Sequence, residues 1–177
     1  MKSTRFVFGR ALAVLCALLF VSFGFMSCQQ EDETEYVNYS LTGTWVNSYS
    51  GGTSVYKITS STFDNSGTSN YNGTTSTYDS YAGNNLVVSY TNDEETAGYI
   101  YIKYTRAMNP DYSYSETAPD VGKWYAIAFK ELTASSVSLS GAYNASGKTS
   151  TETLEEAIST FTIANGYFTF YSECVKQ

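Results

Sequence analysis

The side chains able to do chemistry in this 177-residue chain are few in kind. Histidine is absent, so the usual general base and the commonest metal ligand are missing. There are three cysteines. Cys16 lies inside an apolar run, Cys28 ends that run in "GFMSCQQEDETE" (24–35), and Cys174 stands near the end of the chain. Carboxylates occur as neighbours at Glu94-Glu95 and Glu155-Glu156. The first pair falls in a predicted turn. The second falls on a predicted helix, where adjacent residues face different ways. Neither pair has the apolar setting that raises a carboxyl pKa. No Gly-x-Ser-x-Gly motif and no Gly-Lys-Ser run is present. These features argue against an enzyme, and no cofactor or metal site is expected. Asp64-Asn65-Ser66-Gly67-Thr68 is rich in oxygen, but its spacing fits no calcium loop, so it reads as a solvated turn. The abundant chemistry is phenolic. Seventeen tyrosines each carry an apolar ring with a hydroxyl tip.

Cys28 takes its meaning from what precedes it. Lys2, Arg5 and Arg10 are followed by an apolar run from Ala11 to Met26. This is the charge-then-apolar plan of a secretory signal, too short and too weakly flanked for a stable transmembrane helix. Phe25-Met26-Ser27-Cys28 resembles a bacterial lipobox. Phe25 supplies the apolar residue three places before the cysteine and Ser27 the small one just before it, with a bulkier Met26 between. The resemblance implies cleavage before Cys28 and acylation of its sulfur. Two or three acyl chains hold a protein on a bilayer firmly, where a single chain is marginal. Gln29 stands where an aspartate often retains such lipoproteins at the inner membrane. The acidic run Glu31-Asp32-Glu33 resembles tracts that send some of them to the cell surface. The expected organisation is a signal peptide at 1–27, an acidic tether at 28–40 and one domain at 41–177. The expected place is the cell envelope, as an outer-membrane lipoprotein on one or the other side of that membrane.

Cleavage would remove 27 of the 177 residues and three of the ten basic side chains. The 150 residues left carry seven basic and seventeen acidic groups, a formal balance of −10. That length suits one domain with a sizeable core, expected to be monomeric. The negative balance argues against nucleic acid, whose phosphates need basic partners. It also keeps the domain off anionic lipid except through a covalent anchor. With Cys16 lost and Cys28 acylated, Cys174 has no disulfide partner even in an oxidising compartment. It reads as a half-buried thiol near the last strand.

The elements that must position these residues read as strands. Tyrosine, serine and threonine are abundant, and there are only two prolines. Predicted strands cover 42–49, 53–60, 85–91, 97–105, 122–132 and 135–143. Two more, 161–164 and 167–173, flank Asn165-Gly166, a strong tight-turn signal. Residues 59–80 contain 17 Ser, Thr, Asn or Gly out of 22 and read as two exposed strands turning at Asn72-Gly73. One helix is predicted at "STETLEEAIST", with Thr149 and Glu152 at capping-box spacing and Leu154, Ala157, Ile158 and Phe161 as its apolar stripe, packed on the outside of a sheet. Alternation points Tyr56, Ile58, Ile100, Ile102, Tyr104, Tyr125, Ile127 and Phe129 inward, opposite Lys57, Lys103 and Lys130. It also groups Leu86, Val88 and Tyr90 on one face, Val137 with Leu139, and Phe168 with Phe170. The fold expected is an all-β, up-and-down antiparallel barrel of about eight strands with one short helix in the C-terminal half.

"LTGTWV" (41–46) resembles the Gly-x-Trp opening of the lipocalin and wider calycin families. The run from Thr42 to Glu173 is similar to lipocalin-like domains of bacterial lipoproteins. On that resemblance Gly43 begins the first strand and Trp45 plugs the closed end of the barrel. Two features of the families are missing: a Thr-Asp-Tyr motif, and an arginine in the last strand to cover the tryptophan. The only arginine after residue 10 is Arg106. The resemblance implies a cup for a small apolar or amphipathic ligand, lined by Tyr56, Tyr90, Tyr104 and Tyr125. The alternative is a filled barrel that serves as a surface interaction module, an adhesin or an inhibitor of a host protein. Its contacts would come from the long 106–122 loop with Met108, Tyr112 and Tyr114.

Overall fold

The computed structural model describes residues 38–177. The expected signal segment, Cys28 and the tether up to residue 37 lie outside the described residues. Aromatic and β-branched residues, in several segments alternating with polar ones, commit about half of the described stretch to strands. They are β1 (Gly43–Tyr49), β2 (Gly52–Ile58), β3 (Phe63–Tyr71), β4 (Thr74–Tyr90), β5 (Gly98–Met108), the two-residue β6 (Tyr114–Ser115), β7 (Trp124–Lys130), β8 (Ser136–Gly141) and β9 (Ser172–Lys176). Among the described residues one helix, α1 (Leu154–Thr160), lies between β8 and β9. The sheet runs β4-β3-β2-β1-β9-β8-β7-β5-β6, and β4 also pairs with β5. That last pairing closes an all-antiparallel, up-and-down barrel of eight strands, with β6 extending only the end of β5.

Register decides what faces inward. Trp45 pairs with Tyr56, Ile58 with Phe63, Ile100 with Ile127, and Phe129 with Leu139. With Ile102, Val137 and Cys174 these side chains are buried and fill the barrel from the Trp45 end. That end is sealed by loops tied to one another. The Leu132 N–H donates to the Thr96 carbonyl at 3.0 Å, and the Lys176 N–H to the Ser135 carbonyl at 2.8 Å. The opposite end carries the turns after β1 and β3, the 109–123 connection and the 142–153 segment.

The polar stretch 59–80 forms the β3–β4 hairpin. Asn72 and Gly73 take φ of 49° and 77°, the left-handed pair that matches the twist of a two-residue hairpin. Asp64–Thr68 therefore belongs to a strand, not to the solvated turn expected from its composition.

Two expectations near the C-terminus are corrected. The helix is capped by Thr153, whose hydroxyl accepts the Glu156 N–H at 3.1 Å, and not by Thr149. Thr149 and Thr151 are engaged elsewhere: Thr149 donates to Asp120, and Thr151 bridges Trp124 as an extended residue. The same Thr-x-x-Glu spacing thus works four residues later. Ala157 and Phe161 are buried, Leu154 is half-buried, and Ile158 is exposed, because a two-turn helix offers only one narrow face. The hairpin around Asn165-Gly166 does not form. The Asn165 amide donates to the Ser159 and Thr160 carbonyls at 3.1 and 2.9 Å, so it caps the end of the helix instead. The last strand begins at Ser172. Phe168 and Phe170 do not share an inward face: Phe168 packs against Tyr99, while Phe170 is 79% exposed.

Candidate functional site

At the end of the barrel away from Trp45 lies a cavity of about 630 Å³. Tyr81, Tyr104 and Tyr125 form its floor, and the 107–120 and 142–149 segments form its walls. The strands bring the floor together. Tyr104 sits near the end of β5, Tyr125 starts the inward face of β7, and Tyr81 is delivered by β4 just before the register shift at Ala82 and Gly83. The rings form a packed series. Tyr81 stacks on Phe63 at 5.7 Å and meets Tyr125 edge-on at 5.2 Å; Tyr125 stacks on Tyr104 at 4.8 Å. Phe161, just past the helix, meets both Tyr125 and Tyr167 edge-on. The helix end thereby buttresses the floor from behind.

The phenols of the floor are held neutral. Burial pushes Tyr81, Tyr104 and Tyr125 well above the ordinary phenol range, and nearby tyrosines add to it, although the Tyr104 hydroxyl partly offsets the rise at Tyr125. The Tyr125 hydroxyl donates to the Ala142 carbonyl at 3.1 Å. These groups can therefore donate or accept hydrogen bonds but carry no charge.

The walls are braced loops. β5 continues to Met108 and pairs with Tyr114, so much of the expected 106–122 loop is a short hairpin. Asp111 accepts the Ser113 N–H and hydroxyl at 3.1 and 2.6 Å, and Asn109 donates to Ser113 and Ser115 at 3.0 and 3.1 Å. On the other wall, Gly147-Lys148-Thr149 has the composition of a phosphate cradle but not its geometry. The Lys148 N–H donates to the Tyr167 hydroxyl, its ammonium contacts Glu156, and Thr149 donates to Asp120. Among the described residues no cluster of three or more Asp, Glu or Cys side chains gathers to hold a metal.

Of the four tyrosines expected to line a cup, Tyr104 and Tyr125 lie in the cavity. Tyr56 and Tyr90 do not. Tyr56 is buried lower in the barrel with its hydroxyl on Ser172 at 3.1 Å, and Tyr90 is partly exposed toward the sealed end, edge-on to Phe129. Alternation identifies an inward face but not the height along a barrel, which depends on strand stagger. Tyr81 was missed for a related reason. The register shifts at Asp64/Ser66 and Ala82/Gly83 change which residues of β4 turn inward, and no alternation in "TTSTYDSYAG" signals them. Gly43 and Trp45 occupy the start of β1, Trp45 fully buried with its indole N–H donating to the Leu41 carbonyl at 2.7 Å. Cys174 is buried in β9, and burial pushes its thiol up to about 12.

No protein-family model, no curated protein and no solved structure matches this chain.

Proposed function

We propose that this chain is a lipid-anchored envelope protein of lipocalin-like type whose barrel takes a small apolar or amphipathic ligand at the end opposite Trp45. The observation that carries the reading is the cavity of about 630 Å³ floored by stacked tyrosines. Its size falls in the range of small-molecule sites, and its lining combines apolar ring faces with a few hydroxyls. The up-and-down order and the late helix agree with the resemblance drawn from Gly43 and Trp45. Lys176 supplies, from the last strand, the cation over Trp45 that the sequence lacks as an arginine.

The anchor and the cavity are tested separately. Cys28→Ser in the full chain abolishes fatty-acid labelling and cleavage of the precursor; continued labelling overturns the anchor. For the cavity, the neutral dye Nile red binds the folded protein saturably, and Tyr104→Ala or Tyr125→Ala weakens it at least fivefold. Equal binding by wild type and both variants overturns the site.

A second reading rests on the rim. Tyr112 is 81% and Tyr143 65% exposed, and both border the cavity. Exposed tyrosines among Ser, Asn and Asp make an adaptable protein-contact surface. A protein partner, an adhesion target or an inhibited host protein, would be recognised there.

A further inference from the structure

The charges that touch the cavity are already paired. Among the described residues, Asp120 and Lys148 are the ionic ones that line it. Asp120 lies 3.4 Å from the Lys123 ammonium and accepts the Thr149 hydroxyl at 2.7 Å. The Lys148 ammonium contacts the Glu156 carboxylate. The amides are engaged too: Asn109 donates to Ser113 and Ser115, and Asn144 donates to the Asn165 carbonyl while accepting from Ser146. What remains to meet a guest is tyrosine. The Tyr81 hydroxyl has no hydrogen-bond partner among the described residues, and it is not sealed away from open space.

Among the described residues, the side chains beneath the floor are close-packed. Phe63, Ile102, Ile127 and Phe129 are at most 2% exposed, so they leave no room for an alkyl chain beside them. A long acyl chain has nowhere to go below Tyr104 and Tyr125. A carboxylate brought into the cavity would leave water without a free cation to meet it, next to Asp120 and Glu156. A cationic head would find both carboxylates already paired. A flat ring, by contrast, matches tyrosine faces, and one neutral oxygen on it matches the Tyr81 hydroxyl.

Resting on the ligand-cavity reading above, we propose that the site selects compact, uncharged ring compounds bearing a hydroxyl or carbonyl oxygen, and discriminates against fatty acids and other ions.

A matched probe series tests this on the wild-type protein. Titration calorimetry at neutral pH compares 2-naphthol, 2-naphthoate, 2-naphthyltrimethylammonium and palmitate. The expected result is saturable binding of 2-naphthol, at least tenfold tighter than either charged naphthalene, with palmitate unable to compete. Tyr81→Phe, which keeps the ring stacked on Phe63, weakens 2-naphthol about three- to tenfold, the loss of one neutral hydrogen bond. Equal or tighter binding of either charged naphthalene, or competition by palmitate, overturns the selectivity and leaves the cavity as a ligand site. An absence of binding by every probe, Nile red included, overturns both.

Discussion

The Lys176 ammonium lies 4.8 Å from the centroid of the Trp45 ring. The two residues are direct partners across the first and last strands of the barrel. The same ammonium donates to the Ser40 carbonyl at 3.3 Å. Gly43 completes the arrangement with φ of 148°, and a Cβ added there would sit 2.6 Å from the Lys176 Cε. The beginning and the end of the domain are thus joined over one buried indole.

Trp45→Ala should cost about 3–5 kcal/mol, because a fully buried ring is lost. Lys176→Met keeps most of the packing stem and should cost only about 0.5–1 kcal/mol, the worth of a partly exposed cation–π contact. Gly43→Ala should fall between them, at about 1–3 kcal/mol, since a side chain is placed at a φ that L-residues avoid. Urea unfolding followed by tryptophan fluorescence ranks the three. A Lys176→Met loss equal to that of Trp45→Ala would show that the cation, not the ring, closes this end.

This junction shows what was legible in the sequence. The first strand from Gly43 and the inward side chains Tyr56, Ile58, Ile100, Ile102, Ile127 and Phe129 were legible, because period-two alternation is a local property of a strand. Lys176 over Trp45 was not legible, since it depends on which strand closes the barrel and at what register. The hairpin expected at Asn165-Gly166 failed for the opposite reason. The local turn signal was right, as Gly166 takes φ of 77°, but the turn serves a helix end, and only the packing of Phe161 on Tyr125 and Tyr167 decides that. The cavity was half legible. Tyr104 and Tyr125 follow from alternation, while Tyr81 depends on register shifts that no side chain in its strand marks.

Arg106 reaches across those register shifts. It donates to the Ser80 carbonyl, to the Asn65 carbonyl at 3.3 Å and to the Asp64 carboxylate at 3.0 Å. Bulges leave carbonyls without ladder partners, and a guanidinium fork can serve several at once. Arg106→Met should therefore cost about 2–3 kcal/mol, and Arg106→Lys about 1–2, by leaving acceptors unmet in a half-buried site. Asp64→Asn should cost less than about 1 kcal/mol, because the ion pair is partly exposed and the carbonyl bonds survive. Chemical denaturation in low and high salt checks this ranking. An Asp64→Asn loss as large as that of Arg106→Met, and erased by salt, would make the contact an ion pair first.

Alkaline pH should weaken the fold. Burial raises Tyr101 from 10.0 to about 12 and Cys174 from 9.0 to about 12, and raises Tyr81, Tyr104 and Tyr125 in the same direction. In each case the folded pKa lies above the unfolded one. The unfolded chain therefore releases protons first, and stability falls as pH rises from about 9 through about 12. Phenolate absorbance from these residues should rise together with the loss of the β-sheet circular dichroism signal. A thiol reagent at pH 8 should modify Cys174 only in denaturant. Rapid modification of the native protein would place that sulfur in contact with solvent.

Tyr112 separates binding from stability at the cavity rim. Its φ of 66° is left-handed, a conformation that costs energy for any residue with a bulky side chain. The turn is held there by the Tyr112 N–H on the Asn109 carbonyl at 3.0 Å and the Asn109 N–H on the Ser113 carbonyl at 2.7 Å. Yet the ring itself is 81% exposed and so adds little packing. Tyr112→Gly relieves the backbone but makes the unfolded chain freer, and the two effects nearly cancel. The variant should unfold within about 0.5 kcal/mol of wild type. If the ring serves as a flap over the cavity, the same change should weaken 2-naphthol at least threefold, through faster release. If it serves a protein partner instead, probe binding should be unchanged while capture of that partner is lost. Stopped-flow release of the probe, measured beside urea unfolding on one preparation, distinguishes the two roles.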